Sequence, residues 1–379
     1  MTPVRHILYV TGTRADFGLM QSTLKRIEAD RRLSVSVVVT GMHLDPAYGL
    51  TVGEIEKAGL TITARVGIEA GTPTGALMGA NVGRMLTGFV PVLQAETPDV
   101  VLLLGDRGEM LAGAIAAIHL NIPVAHIHGG ERSGTVDEPV RHAISKLSSL
   151  HLVATRESRK RLISMGEAEA DIHVVGAPGL DGLDKLPSRN RQALVADFGL
   201  DPGRALALLV YHPVLQEASA AGAHVASIID ALLAADVQVV ALKPNSDAGS
   251  AGVRDRLETL ASAGKLQLFT HLPRPTFVEF MAAADLMVGN SSSGIIEAAT
   301  FGTPVINIGS RQNLRERNAN IIDVGVDQEG ITAAIGAALA QRRYPAKNVY
   351  GDGRAGERIA EVLATADLAR LSAGKTNAY

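Results

Sequence analysis

Short apolar runs rich in β-branched residues alternate with longer helical patterns along almost the whole chain. The runs at residues 6–10, 35–40 and 100–104 have the length of buried strands, and the segments between such runs carry apolar residues at helical spacing. Parallel strands need helices on both faces of their sheet, and helical crossovers connect them. The alternation therefore predicts an α/β protein built on doubly wound parallel sheets.

The alternation breaks near residues 176–190, where a Gly-Ala-Pro-Gly sequence is followed by a polar segment. A chain of 379 residues also exceeds the size of most single hydrophobic cores. We therefore expect two doubly wound domains, residues 1–178 and 179–354, joined by a hinge. The last helical pattern follows a glycine-rich turn, and we expect residues 355–379 to complete the first domain.

The composition disfavours several classes of protein. Hydrophobic residues make up 46% of the chain and charged residues 20%, which is typical of an ordered globular protein, and a formal net charge of −3 gives no basic surface for nucleic acid. Cysteine is absent, which excludes disulfides, thiolate catalysis and cysteine metal sites. The first residues lead into a strand instead of a signal peptide, and no apolar run has the length of a membrane span. We therefore expect a cytoplasmic protein without a membrane partner.

The segment from residue 286 to residue 311 carries the clearest local motif. A short apolar run ends at Gly289, three serines and Gly294 follow, and an amphipathic helix then stops at Gly302 before a second apolar run. Free backbone N–H groups and hydroxyls at a helix N-terminus favour an anion, and Glu297, one turn into the helix, could accept hydrogen bonds from sugar hydroxyls. An ordinary capped helix would carry the same serines, so both interpretations stay open on this segment alone.

Titratable side chains collect where the predicted strands end. In open parallel sheets the ligand lies outside the carboxyl ends of the strands. The residues found there share an ability to bind anions or to transfer protons: Arg14, His43, Asp106, Arg107, His126, His128, Glu131, Asp137, His212 and Asn245. Each has an ordinary explanation, since Asp106 could cap a helix and His212 could be structural. Their coincidence nevertheless predicts acid–base chemistry in a cleft.

Three further motifs bear on cofactors and metals. Residues 351–356 match GxGxxG but follow no convincing core strand, which disfavours a dinucleotide site, and no Walker loop is present. His126 and His128 are two apart on a predicted strand and would share a face, as two ligands of a metal do. The same spacing occurs without metal, and no cysteine supports it, so we expect neither a metal nor a cofactor.

Taken in chain order, these motifs resemble the UDP-N-acetylglucosamine 2-epimerase family, and its hydrolysing branch fits best. The resemblance covers the chain from residue 5 to about residue 365. The matching stretches are TGTRADFG (11–18), TGMHL (40–44), GDRGEMLAGAIAA (105–117), HIHGGERSGTVDEPVRHAISKLSSLH (126–151), YHPV (211–214), KPNSDAGS (243–250), GNSSSGIIEAATFGTPVINIGSRQ (289–312) and YGDG (350–353). The fourth and seventh of these stretches are long and specific.

The resemblance implies a GT-B arrangement, in which two Rossmann-like domains face each other across a cleft and the second domain holds most of the nucleotide. The diphosphate is expected at Ser291, Ser292 and the turn amides near Gly294, and the ribose hydroxyls at Glu297. His271 is expected along the uracil. The remaining substrate-binding candidates are basic or polar residues that would surround the phosphates and the nucleotide end: Arg14, His43, Arg107, His212, Asn245 and Arg311.

The resemblance also implies a reaction, in which UDP-N-acetylglucosamine loses UDP to form a glycal-like intermediate and water addition releases N-acetylmannosamine for sialic-acid-type biosynthesis. Two proton transfers need two titratable groups, for which Asp106 and Glu131 are the leading pair. Asp137 is expected as an orienting or acidic partner, and His212 as the group that stabilises the departing phosphate. Part of the family has glutamate at the place of His128, so either His128 is an accessory acid or base, which we favour, or Glu131 takes the task.

Several alternatives stay open from the sequence. A diacetamido-trideoxy sugar of the legionaminic acid type is an alternative substrate, and the nucleobase is implied only by the resemblance. A non-hydrolysing epimerase, a glycosyltransferase and a catalytically silent nucleotide-sugar sensor are alternative functions. Members of the family are often oligomeric, so we also expect a homo-oligomer, either a dimer or a tetramer.

Overall fold

The structure, a computed structural model, describes residues 3–72, 74–133, 137–245 and 247–378 of the chain. Within these residues it contains two parallel sheets, each covered by helices on both faces, and the expected pair of doubly wound Rossmann-like domains is confirmed. Residues 134–136 and 246 of the motif stretches lie outside the described residues.

The first sheet takes its strands from the first half of the chain. They are β1 (Arg5–Thr11), β2 (Leu33–Thr40), β3 (Ile62–Val66), β4 (Val100–Leu104), β5 (Val124–Ile127), β6 (Leu150–Val153) and β7 (Ile172–Val174). The helices between them are α1 (Arg14–Ala29), α2 (Val52–Lys57), α3 (Gly75–Glu96), α4 (Gly108–His119), α5 (Asp137–Leu147) and α6 (Arg156–Ser164). Alternate side chains of β1 enter two different cores, because Ile7 and Tyr9 pack on one face of the sheet and Leu8 and Val10 on the other. Burial on both faces explains why the strands read as continuous apolar runs.

The second sheet takes its strands from the second half of the chain. They are β8 (Leu206–Val210), β9 (Gln238–Leu242), β10 (Gln267–Phe269), β11 (Leu286–Gly289), β12 (Val305–Ile308) and β13 (Ile321–Val324). The helices are α7 (Arg191–Asp197), α8 (Ala221–Ala234), α9 (Ser250–Ser262), α10 (Arg274–Ala283), α11 (Ser292–Ile296) and α12 (Gln328–Gln341), followed by α13 (Ala355–Thr365) and α14 (Leu368–Ser372).

The strand order of both sheets places a crevice at a defined point. The first sheet has the order β3-β2-β1-β4-β5-β6-β7 and the second β10-β9-β8-β11-β12-β13, and the neighbouring strands pair in parallel. The direction of winding therefore reverses between β1 and β4 and again between β8 and β11. Ligands of doubly wound sheets bind outside the carboxyl ends of the strands at such reversal points.

The chain returns to the first domain after the second sheet. Ile359 and Leu363 of α13 and Leu371 of α14 belong to the same hydrophobic core as α1 and β1. Asp181 accepts hydrogen bonds from the backbone N–H groups of Ala355 (2.8 Å) and Gly356, which caps the start of α13. The last helices thus pack against the first domain, and the division of the chain into domains stays a prediction.

Two local expectations need correction. The predicted helix over residues 295–301 is a five-residue α-helix, α11, followed by a 3-10 turn at Ala298–Phe301 that Gly302 ends with a φ of 63°. The expectation that no apolar run reaches the length of a membrane span was also wrong, since α3 is long and apolar enough by length and composition. Helix α3 packs against α4 beside the first sheet, and a helix of a soluble protein passes the same test, so this one feature is weak evidence for a membrane.

Candidate functional site

A cleft of about 300 Å³ lies between the carboxyl ends of the two sheets, at both reversal points. Most of the residues that were singled out from the sequence line it: Arg14, Asp106, Arg107, His128, Asp137, His212, Asn245, His271, Ser291, Ser292 and Arg311. These side chains follow eight different strands and come together because the strands of each sheet are parallel. The cleft is therefore the candidate site.

The second-domain side of the cleft is built on a tight turn after β11. Gly289 has a φ of 127°, and a Cβ there would lie 2.1 Å from the Val210 carbonyl oxygen, so only glycine fits. Asn290 accepts a hydrogen bond from the backbone N–H of His212 (2.7 Å) and donates one to the His212 carbonyl (2.8 Å). The side chain of Asn290 thereby joins the ends of β8 and β11 and fixes His212 beside Ser291.

His212 is positioned as a hydrogen-bond donor. The backbone N–H of Asn245 donates to His212 Nδ1 (3.2 Å), so the neutral ring carries its proton on Nε2. Burial, together with the positive charge of Arg311, lowers the pKa of His212 to about 3. His212 is therefore neutral near pH 7 and can donate to an anion without bringing a full charge.

Arginines supply the positive charge of the cleft. Arg311 donates to the Asn290 carbonyl (3.2 Å) and lies 3.8 Å from Asp137 of the first domain. Arg14 pairs with Glu54 (2.7 Å) through Nε, while its buried Nη2 has no hydrogen-bond partner among the described residues. A buried, unpaired guanidinium N–H at the wall of a cleft is suited to an anionic ligand.

Asp106 is held by a buried arginine of the first domain. Arg141 of α5 pairs with Asp106 and also donates to the Glu131 carbonyl (3.1 Å) and to Ser133 Oγ (3.3 Å). The Arg141 side chain is 1% exposed, and burial lowers its pKa to about 9. This pairing fixes the carboxylate of Asp106 at the carboxyl end of β4.

Glu131 and His128 form a pair whose orientation depends on the second domain. Glu131 accepts from His128 Nδ1 and is also paired with Arg315, which follows β12 and crosses the cleft. His128 has a left-handed φ of 63°, so its ring does not share the strand face of His126 as the sequence predicted. Burial, with the Arg315 charge, lowers the pKa of His128 to about 3. With Nδ1 bound to the carboxylate, Nε2 is the nitrogen left for a ligand.

Arg107 joins the two sides of the cleft. Its guanidinium lies 2.9 Å from Glu109 in its own domain and 3.5 Å from Asp247 in the other. Asp247 in turn accepts from the Asn245 amide (2.6 Å). Arg107 was expected beside the phosphates, and in this structure it pairs with carboxylates.

Five residues that were expected at the site do not line the cleft, and one of them, His126, is hydrogen-bonded to Ser145 Oγ (3.0 Å) and the Gly105 carbonyl (2.7 Å). His43 is fully buried between Thr11 Oγ1 (3.0 Å) and Thr51 Oγ1 (2.8 Å), and burial lowers its pKa to about 4. Glu297 is 1% exposed and pairs with Arg274. Their side chains are turned into the protein and already have partners. The other two, Gly294 and Glu131, lie behind the cleft wall.

The sequence missed two arginines that organise the site. Arg315 was overlooked because it lies in an irregular loop, and only its spacing of four residues from Arg311 hinted at it. Arg141 follows Asp137 by four residues on α5, a spacing that places both on one helix face and could have been noticed. Among the described residues no group of three or more His, Asp or Glu side chains is arranged to hold a metal ion.

Comparison with known proteins places the chain in a family. The family model for UDP-N-acetylglucosamine 2-epimerase matches residues 25–364. The chain belongs to the UDP-N-acetylglucosamine 2-epimerase family. It is 49% identical to the UDP-N,N'-diacetylbacillosamine 2-epimerase (hydrolyzing) of Legionella pneumophila, over 99% of this chain and 100% of that protein. It is 35% identical to the UDP-N-acetylglucosamine 2-epimerase of Neisseria meningitidis, over 98% of both chains.

Solved structures of this epimerase family share the fold. The UDP-GlcNAc 2-epimerase from Neisseria meningitidis bound to UDP-GlcNAc superposes with a TM-score of 0.80 at 20% identity, over 94% of this chain and 99% of that chain. The Methanocaldococcus jannaschii enzyme in complex with UDP-GlcNAc and UDP gives a TM-score of 0.78 at 23% identity, over 94% and 99%. These structures confirm the GT-B arrangement of the two domains.

Proposed function

We propose that this protein is a hydrolysing nucleotide-sugar 2-epimerase whose substrate is a UDP-linked diacetamido-trideoxy hexose. The observation that carries the proposal is the assembly in one cleft of phosphate-binding groups from the second sheet and proton-transfer groups from the first. The relative at 49% identity, which covers the whole chain, is named for a diacetamido sugar and for hydrolysis. UDP-N-acetylglucosamine, giving N-acetylmannosamine, is the second candidate substrate because the Neisseria relative at 35% identity is named for it.

The reaction proceeds in two steps. In the first, the bond between the anomeric carbon and the phosphate oxygen breaks, UDP leaves with the electron pair, and the proton on C2 is removed, so that a C1–C2 double bond forms. In the second, water adds a hydroxyl group at C1, and a proton is returned to C2 from the opposite face. The products are UDP and a free sugar inverted at C2, which suits sialic-acid-type biosynthesis.

The second-domain groups serve the departure of UDP. His212 donates through Nε2, and Arg311 supplies positive charge to the oxygens on which negative charge develops, while Arg14 of the first domain adds its charge from the opposite side. Ser291 and Ser292 add hydroxyls and backbone N–H groups beside them. Because these donors are held in place by Asn290 and Asn245, they need no reorganisation when the bond breaks.

The two proton transfers are assigned to side chains of the first domain. Asp106 and His128 both face the cleft, whereas Glu131 lies behind His128 and orients its ring. We therefore assign the transfers to Asp106 and His128, with Glu131 as a positioning residue and Asp137 as the polar partner on the sugar side. In the His128→Gln variant the pH dependence of kcat should change and its value fall; unchanged activity across the pH range would make His128 structural.

The proposed reaction predicts that deuterium from the solvent is incorporated at C2 of the released sugar. The purified protein is incubated in D₂O with the UDP-linked diacetamido-trideoxy sugar and, separately, with UDP-N-acetylglucosamine, and the products are identified by NMR. We expect UDP and a free sugar that is inverted at C2 and carries deuterium there, formed faster from the diacetamido substrate. An epimerised nucleotide sugar would indicate a non-hydrolysing enzyme. Release of a sugar that keeps its original C2 hydrogen would exclude the elimination. If neither nucleotide sugar is turned over, the catalytically silent nucleotide-sugar sensor would be the remaining function.

A cytoplasmic location and a homo-oligomeric state, a dimer or a tetramer, also stay proposals. Nucleotide sugar is the proposed small-molecule partner, and no cofactor is included in the proposed mechanism. Measurement of the mass in solution by light scattering would test the oligomeric state directly, with a monomer at working concentration contradicting it.

A further inference from the structure

A second cavity, of about 310 Å³, adjoins the cleft on the side of the first domain. The two cavities share part of their lining, including Met42, Asp106, Arg107 and Asp137. The proposed proton-transfer residue Asp106 thus lies at the boundary between the cavities. A sugar placed with its C2 at Asp106 would extend into the second cavity, which we call the apolar chamber.

The walls of the apolar chamber are mainly hydrocarbon. Met78, Val82 and Met85 reach it from successive turns of α3, Ile68 from the segment after β3, and Leu215 from the second domain. The spacing of the three α3 residues places them on one helix face. These side chains cannot donate or accept strong hydrogen bonds, and polar residues that include Asp45, Tyr48 and Asp247 complete the lining.

Two short distances show that these hydrophobic side chains lie beside the loops that carry Asp106 and His212. A Cβ on Gly108, two residues after Asp106, would lie 2.8 Å from Val82 Cγ2. A Cβ on Gly75 would lie 3.6 Å from Cδ1 of Leu215, which follows His212 by three residues. Val82 and Leu215 thus approach the reacting region from opposite domains.

The polar side chains at the rim of the chamber already have partners. The amide of Asn81 accepts from the backbone N–H of Glu69 (2.9 Å) and donates to its carbonyl (3.0 Å), which pins the loop carrying Ile68 onto α3. Glu109 is paired with Arg107. A sugar hydroxyl in the chamber would therefore lose its water and gain little in return, whereas a methyl group would be stabilised by burial.

We propose that the apolar chamber binds the C4–C6 edge of the sugar and selects a ring that carries an acetamido methyl and a C6 methyl over one that carries hydroxyls. This inference rests on the proposed function and deepens it by locating the choice of sugar. The diphosphate is bound by the second domain and C2 lies at Asp106, so the opposite edge of the ring points past Asp106 into the chamber. Val82 and Leu215 are the residues that determine specificity.

The test compares two UDP sugars in variants of the chamber. Val82→Phe fills the chamber, and Val90→Phe is the matched control, since Val90 lies on the same helix and packs against the same core without lining the chamber. Leu215→Ser makes the opposite wall polar. For each purified protein, kcat/KM is measured with the diacetamido-trideoxy substrate and with UDP-N-acetylglucosamine, together with the inhibition constant of UDP.

We expect wild type to favour the diacetamido substrate by about 10- to 100-fold, which is the usual range for apolar pockets. Val82→Phe and Leu215→Ser should each reduce that ratio about tenfold or more, while the inhibition constant of UDP and the behaviour of Val90→Phe stay near wild type. A Val82→Phe protein that melts like wild type but loses both activities equally would overturn the assignment. An unchanged ratio in both variants would also overturn it. Absence of turnover by wild type with either sugar would instead contradict the proposed function.

Discussion

The two sides of the cleft differ in the kind of group that they present. On the first-domain side the carboxylates are bound by buried arginines, Asp106 by Arg141 and Glu131 by Arg315. On the second-domain side the facing groups are neutral donors or cations, such as His212 and Arg311. The second domain offers a diphosphate only donors and cations, whereas the first domain presents carboxylates beside Arg14 and Arg107, so we expect the diphosphate to lie toward the second domain.

This difference indicates a division of labour between the domains. Groups that bind the nucleotide contribute to affinity, and groups that move protons contribute to kcat, because the latter act mainly in the transition state. Arg315 is an exception, since it belongs to the second domain but pairs with a carboxylate of the first. Variants on each side can therefore show whether binding and chemistry are truly separate.

The largest effect is expected at Asp106. Asp106→Asn keeps the shape of the side chain but removes its proton-transfer capacity, and it should lower kcat by about 10²- to 10⁴-fold. Steady-state release of UDP measures kcat, and circular dichroism checks that the fold persists. Near-normal turnover by this variant would remove Asp106 from the chemistry.

A smaller loss is expected at Arg315. Arg315→Ala leaves the buried carboxylate of Glu131 without its cation, so the orientation of His128 is lost and kcat should fall about tenfold or more. Arg315→Lys should recover part of the activity. Arg317→Ala is the control, because Arg317 lies two residues further on and pairs with Asp323 at the surface. If Arg315→Ala and Arg317→Ala have equal kcat values, the cross-cleft pair has no catalytic role.

Arg311 is expected to affect affinity more than rate. Arg311→Ala removes a charged donor from the proposed phosphate site and should weaken UDP binding about tenfold, the usual effect of one hydrogen bond to a charged group. Isothermal titration with UDP measures the change. An unaltered Kd in this variant would place the diphosphate elsewhere in the cleft.

The last effect concerns the stability of the fold and not activity, and it depends on pH. In the folded protein the pKa values of His126, His128 and His212 are lowered to about 3 by burial, below the ordinary value of 6.5. The unfolded chain binds more protons between these values, so stability is lost as the pH falls below 6.5, by about 1 kcal/mol per histidine between pH 7.5 and 5.5. Urea unfolding at these pH values measures the loss, which should be smaller in His126→Gln. A stability that is constant over this range would contradict the burial of these rings.

The fold could be predicted largely from the sequence because burial on both sheet faces produces apolar runs that are easy to recognise. Strand β3 was missed, since it is only half-buried at the sheet edge and contains Arg65. Helix α11 was predicted too long because a 3-10 turn carries the same apolar spacing for a few residues. Both errors occurred in segments whose hydrophobic periodicity is weak or extends over only a few residues.

The candidate site was predicted less completely. The rule that ligands bind at strand ends brought Arg14, Asp106 and His212 into one cleft. It could not show which way a side chain turns after its strand, and so His43 and Glu297 were expected in the cleft although both are buried. A pair of side chains from two different domains, such as Arg315 and Glu131, leaves no local sequence pattern from which the contact could be predicted.

The separation of binding from chemistry is tested most directly by titrating UDP into Asp106→Asn and Arg311→Ala side by side. We predict that Asp106→Asn binds UDP with a Kd within about twofold of wild type while being inactive, and that Arg311→Ala binds UDP about tenfold more weakly. A wild-type Kd for Arg311→Ala together with loss of UDP binding in Asp106→Asn would contradict the assignment of the diphosphate to the second domain.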